Sequence, residues 1–338
     1  MKKSICVLAA LVSAPCYAQA TVSGIVDFAY ASVAGSGTTA ATKRQTVDQT
    51  TGTAATSMLN FSVVEKIGNI TAEGAYFFDP RNITTGAAGA GNASGTFAAH
   101  QAFVGLSGGF GSVKLGRMNA GVLQAFLASS PLGTGIGSAF TLTDHEAVVS
   151  VGTVRYNQSL RYDSPNVSGF SGSLTYAPGN DDTTAGGAAR PAITNFALSY
   201  SAGPLNVIVS SLQVGATTGQ AAVDRVRKGS YTSIGANFQL GATRLFAGYG
   251  DGDKATAGGL DTRNSRLGIS HTMAPVTLIG QYTTAKIGTA NEREALGLRA
   301  DYALSKRTVS YVGYESYDNG AASANKTNTL AVGVRHNF

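Results

Sequence analysis

Charged side chains make up only 13% of the 338 residues, tryptophan is absent, and the two cysteines are Cys6 and Cys16. Each shortage excludes a class of protein. No apolar run reaches eighteen residues, whereas a helix needs ~20 to cross a bilayer, so helical membrane spans are excluded. Helix-favouring runs of Ala, Leu, Glu and Lys are scarce, and a chain so short of them is poor in helix. Lys and Arg total 25 against 19 acids, and they are not clustered, which argues against a nucleic-acid partner. No phosphate loop, dinucleotide fingerprint, nucleophile elbow or HExxH is found, so no enzyme class finds an anchor and no cofactor is expected.

What is present is glycine, 43 residues, with 14 each of Tyr and Phe, at a mean hydropathy of +0.05. Lys2 and Lys3, the apolar run from Ile5 to Val12, and Cys16-Tyr17-Ala18 with small residues at its first and third positions form an export-signal pattern over residues 1–18. Pro15 before Cys16 fits a lipoprotein site poorly. Cleavage after Ala18 would remove both thiols, leaving neither disulfides nor cysteine-based metal sites or catalysis. Loss of Lys2 and Lys3 would lower the formal charge from +6 to +4.

From position 19 onwards, alternating segments of about ten residues are separated by turn residues, the pattern of a transmembrane β-barrel. Phe170, Gly172, Leu174 and Tyr176 alternate with Ser171, Ser173 and Thr175. Likewise Val276, Leu278 and Tyr282 alternate with Thr277 and Gln281, and Leu296, Leu298, Ala300 and Tyr302 with Gly297, Arg299 and Asp301. The apolar set is predicted to face lipid and the polar set a watery lumen. Seven tight connections fall near positions 66–69, 107–111, 164–166, 202–204, 240–242, 273–275 and 304–306. Longer Gly/Thr/Ala-rich ones lie around 34–55, 80–95, 118–150, 178–190, 215–226, 251–261, 288–291 and 318–326, so that sixteen antiparallel strands are expected. A soluble sandwich would also alternate, but this many strands would need several domains, and no linker or composition break is visible. No fixed repeat suggests a solenoid or propeller.

Gly105-Leu106-Ser107-Gly108 followed by Phe110-Gly111-Ser112-Val113-Lys114-Leu115-Gly116-Arg117 resembles a hairpin of Gram-negative general porins, especially the neisserial-type branch. Arg155-Tyr156-Asn157-Gln158-Ser159-Leu160-Arg161-Tyr162-Asp163-Ser164-Pro165, Leu304-Ser305-Lys306-Arg307-Thr308 and Gly333-Val334-Arg335-His336-Asn337-Phe338 are similar to further segments of that family. The resemblance covers residues 19–338. It implies an outer-membrane homotrimer whose subunits are 16-stranded barrels in lipid, passing inorganic ions and small hydrophilic solutes by diffusion. Phe338 is then the signal that the outer-membrane assembly machinery reads.

The resemblance also implies that residues 118–150 fold inward and constrict the pore. Gly121-Val122-Leu123-Gln124-Ala125-Phe126-Leu127-Ala128 is compatible with a short helix, and the loop is too apolar for an ordinary solvated one. Asp144 and Glu146 would set negative charge against a basic wall, a transverse field that sorts ions by sign. Three arginines line the constriction in some members, and their positions correspond to Met58, His100 and Arg155, so only Arg155 is kept. His100 would add charge below pH ~6.5. Arg117, Arg161, Arg299 and Arg335 are further lumen candidates. Asp144-His145-Glu146 lacks any partner motif for a triad or metal, and Asp251-Gly252-Asp253 lacks the rest of a calcium loop. A substrate-specific channel, marked by saturable block, and a plugged barrel acting through its loops, marked by no solute uptake, are the rivals of a diffusion pore.

Overall fold

The computed structural model describes residues 18–36, 42–49, 51–80, 98–140, 154–180, 190–216, 229–253, 261–288, 292–318, 320 and 326–338. Seventeen strands form one sheet. They are β1 (Gln19–Ser36), β2 (Thr42–Asp48), β3 (Met58–Ile67), β4 (Ile70–Asp79), β5 (Ala98–Gly108), β6 (Gly111–Asn119), β7 (Arg155–Asp163), β8 (Phe170–Ala177) and β9 (Ile193–Ala202). The rest are β10 (Leu205–Val214), β11 (Gly229–Leu240), β12 (Thr243–Asp253), β13 (Asp261–Met273), β14 (Val276–Ile287), β15 (Arg293–Ala303), β16 (Thr308–Asp318) and β17 (Lys326–Asn337). From β3 onwards each strand pairs antiparallel with the next. The sheet closes where β1 pairs with β17, from Ile25 opposite Asn337 to Ser36 opposite Lys326.

β2 and β3 share one place in this barrel. β2 pairs with the second half of β1 and β3 with the first, so seventeen strands fill sixteen positions. Between Ala29 and Ile25, β1 advances four residues while its partner advances ten, from Asp48 to Met58. The surplus leaves the wall and lies inside. The sequence pattern places a single loop over 34–55, whereas residues 42–48 extend the sheet and residues 51–57 turn inward. Small side chains on the inner face make the room: a Cβ on Gly52 would stand 2.5 Å from that of Ala331 and 3.0 Å from that of Ala31.

All seven tight connections join strands where the turn chemistry places them, from Ile67–Ile70 to Ala303–Thr308. The two faces are the inverse of a soluble protein. Leu198, Ile234, Leu267, Leu298 and Val332 are exposed, while Asn195, Ser233, Arg266, Arg299 and Thr329 on alternate positions are buried. Exposed apolar side chains over the whole wall cost free energy in water and none in hydrocarbon, so the outer face is a lipid face. The inner face holds the polar groups, and the main apolar cluster is also inside, where Leu123, Tyr156, Leu212 and Tyr231 pack together.

Candidate functional site

The inner wall is narrowed by helix α1 (Gly121–Ser129), which follows β6 at the place where the sequence is compatible with a helix. Its turns pack on the inner faces of strands β9 to β13. Ala120 donates to the carbonyl of Val154 (2.8 Å), and the Val122 amide donates to Asn195 Oδ1 (3.3 Å). At the other end Asn237 Nδ2 donates to the carbonyl of Ala128 (2.9 Å), and Arg266 Nη1 to Ser129 Oγ (2.7 Å). The Arg266 guanidinium also lies 4.1 Å from the Phe126 ring centroid, so it serves the carbonyl end of the helix and the ring together. Beyond α1, Ser130 Oγ donates to Gln281 Oε1 (2.8 Å), and the amide of Gly137 donates to Glu315 Oε2 (2.7 Å). Residues 120–140 are thus tied along the wall as far as β16.

The inward residues 51–57 meet this segment. The Ile136 amide donates to the carbonyl of Thr53 (2.8 Å), and Gly135 lies against the Ala54 carbonyl so closely that a Cβ would come within 2.3 Å of its oxygen. The 51–57 segment is itself held by a buried group on the wall. Tyr311 Oη donates to Asp27 Oδ1 (2.6 Å), the Ala55 amide to Asp27 Oδ2 (2.8 Å), and the Ala54 amide to Tyr311 Oη (3.2 Å).

Between these two segments and the opposite wall lies a chamber of about 380 Å3, and Met58, His100 and Arg155 all line it. Arg299 and Arg335 line it too, with Leu123, Leu127 and Pro131 from the loop. Arg155 Nε donates to Asn119 Oδ1 (2.6 Å), and Arg155 Nη2 meets His100 Nε2. A guanidinium only donates, so His100 Nε2 accepts and the ring in this contact is the neutral tautomer protonated on Nδ1. A proton on Nε2 would break the bond and bring two cations together. His100 reaches this position through a β-bulge: Phe77 pairs with Gln101 and Phe78 with Ala99, which skips His100 and re-aims it. Strict alternation along β5 would have turned it the other way, with Val104 and Leu106.

The remaining sequence candidates are elsewhere. Arg117 donates to Asn157 Oδ1 (2.6 Å) and to the carbonyl of Arg155 (3.4 Å), and it is not part of the chamber lining. Arg161 is paired with Asp163 (2.7 Å) and lines a second chamber of about 540 Å3 with Arg244. Asp144, His145 and Glu146 lie outside the described residues. Phe338 closes the seam: its amide and carbonyl exchange hydrogen bonds with Gly24 (3.1 and 3.0 Å), and a Cβ on Gly24 would stand 2.5 Å from the Phe338 ring. Asn119, Leu127, Asp27, Tyr311 and residues 51–57 carried no separate signal in the sequence, although Asp27 stands as the lone acid in the alternating run from Ile25 to Ala31.

A closed sheet with lipid-compatible side chains outside and arginines around an inner passage is a channel-forming membrane barrel. The sequence model of the family described as Gram-negative porin matches residues 5–337, and the chain belongs to that family. Among curated relatives, the major outer membrane protein P.IB of Neisseria lactamica is 27% identical over 266 residues, covering 70% of this chain and 72% of that protein. Outer membrane porin protein 32 of Delftia acidovorans is 28% identical over 376 aligned positions, covering all of both chains. Among solved structures, an anion-selective porin from Comamonas acidovorans superposes with a TM-score of 0.76 at 22% identity, covering 95% of this chain and all of that one. The protein is an outer-membrane porin, a water-filled channel for passive diffusion of ions and small hydrophilic solutes.

Proposed function

We propose that residues 118–150 set the size limit of this channel and that the chamber biases passage towards anions. The observation that carries the reading is that Arg155, Arg299 and Arg335 line one chamber against α1, with no acidic residue in its described lining. Arg299 shares its charge with Asp301 at 2.7 Å. Arg155 is oriented by Asn119 and His100 on the wall beside the passage. A relative of the same fold is described as anion-selective, in keeping with this sign. Residues 1–18 act as a signal peptide, removed on export. Phe338 directs assembly into lipid through the outer-membrane machinery, and three copies make the working unit. No step of this function is catalytic.

Single-channel currents of the purified protein in a planar bilayer under a KCl gradient test the bias. The reversal potential is expected to lie towards chloride. Arg155→Gln is expected to cut the chloride-to-potassium permeability ratio about threefold, the effect of roughly 0.6 kcal/mol for one charge at a solvated site. A cation bias in the unaltered protein would instead transfer the control to Asp144 and Glu146. Heat-dissociable trimers on a gel, or a monomer in their place, would decide the assembly.

A further inference from the structure

We propose that the chamber favours organic anions that carry an apolar body, such as aromatic monocarboxylates, over hydrophilic anions of equal charge. The inference rests on the anion reading above and adds a solute class to it. Leu127 is 43% exposed although it lies inside the barrel on α1. This residue lines both the arginine chamber and the second chamber with Arg161 and Arg244, so a solute passing from one to the other crosses its side chain. Leu123 and Pro131 continue the apolar surface on the loop side, and Met58 extends it on the wall. α1 has no acidic residue in its first turn and no basic one in its last. In the arginine chamber the lining that α1 contributes is apolar, while Gln124 beside Leu127 faces the second chamber, and the arginines supply the charge.

The chemistry of such a lining discriminates between anions. A small hydrated anion gains only the attraction of the guanidinium groups, and it leaves the leucine surface in contact with water. An aromatic carboxylate places its oxygens against the guanidinium charge of Arg155 or Arg335. Its ring at the same time covers Leu127 and the neighbouring Pro131, which removes apolar surface from water on both sides. A neutral aromatic solute gains only the second contact, and a hydrophilic dicarboxylate only the first. Conduction requires the added attraction to remain weak, because a solute must enter readily and leave readily. Met58 favours the same solutes, because an arginine at that place would make the wall more charged and less apolar. In the next chamber, where Arg161 is paired with Asp163, Arg244 offers the carboxylate a following contact once the ring has cleared Leu127.

The test compares potassium benzoate with potassium acetate as blockers of the chloride current through single channels of the full-length mature protein. Benzoate is expected to reduce the current at concentrations at least about threefold lower than acetate, the modest gain of a partly covered ring. In Leu127→Ser channels the ratio of the two half-blocking concentrations is expected to fall to about one, since the hydroxyl removes the apolar step. Equal block by benzoate and acetate in the unaltered protein would overturn the proposal even if no variant could be folded. A ratio unchanged in open Leu127→Ser channels would overturn it too. The KCl reversal potential of the unaltered protein separates the two readings: a chloride bias with equal block removes only the organic-anion proposal, and a potassium bias removes both.

Discussion

Gly235→Val will push α1 away from the barrel wall and reduce the single-channel conductance. A Cβ at position 235 would stand 1.7 Å from the carbonyl oxygen of Ala125, an overlap with backbone that no rotamer change relieves. One of the two elements must yield. β11 is hydrogen-bonded on both sides, with Gly235 opposite Ile208 of β10 and Gly248 of β12. The helix has only its side-chain ties and packing, so it moves, and the only open direction is into the lumen. We expect the conductance to fall by about half and the folded barrel to lose about 1–3 kcal/mol through overpacking. Gly280→Val is the matched control. Its Cβ faces outward, 3.5 Å from Leu298 Cδ2 and 3.8 Å from Ile269 Cγ2, which is ordinary contact. Planar-bilayer recordings on both variants decide the matter: an unchanged conductance in Gly235→Val, or an equal drop in both, would sink this account of how the loop is seated.

Asp27→Ala is expected to destabilise the inner wall strongly. Asp27 is fully buried and accepts from Tyr311 Oη and the Ala55 amide. Without the carboxylate those donors lose their acceptor, at about 1–3 kcal/mol for each buried group left unsatisfied. Tyr311→Phe leaves Asp27 with the Ala55 amide but takes the acceptor from the one buried amide of Ala54, so its cost is about 1–3 kcal/mol. The loss travels to the pore because Ala54 and Ala55 hold the 51–57 segment, and Thr53 in that segment accepts from Ile136 in the constriction loop. Denaturant midpoints of the refolded barrel should fall for both variants, further for Asp27→Ala. Open-channel current noise should rise in the same order, since the loop tip is released. Quiet channels of normal size from Asp27→Ala would show that the loop is held without this anchor.

Much of the barrel was legible in the sequence, because alternation with period two is a property of the extended backbone itself. Phe170 and Leu174 outside with Ser173 and Thr175 inside, and Leu296 and Leu298 outside with Gly297 and Arg299 inside, follow from that period alone. Tight turns were readable for a similar reason, since Ala202-Gly203-Pro204 and Leu240-Gly241-Ala242 use glycine at positive φ. The tendency of residues 121–128 to form a helix was readable as well. Distant contacts decided the rest. His100 joins Arg155 because a bulge in β5 shifts its pairing with β4, and the pairing partner lies more than twenty residues away in the chain. Residues 51–57 turn inward because Ala31 and Ala331, three hundred positions apart, leave space beside each other at the seam. Leu127 is exposed to the channel only because Ala125 and Phe126 are taken up by the wall. Local periodicity thus determined which face each strand shows to lipid, and closure of the sheet determined which side chains meet across the lumen, because no short window of sequence records a pairing between residues so far apart.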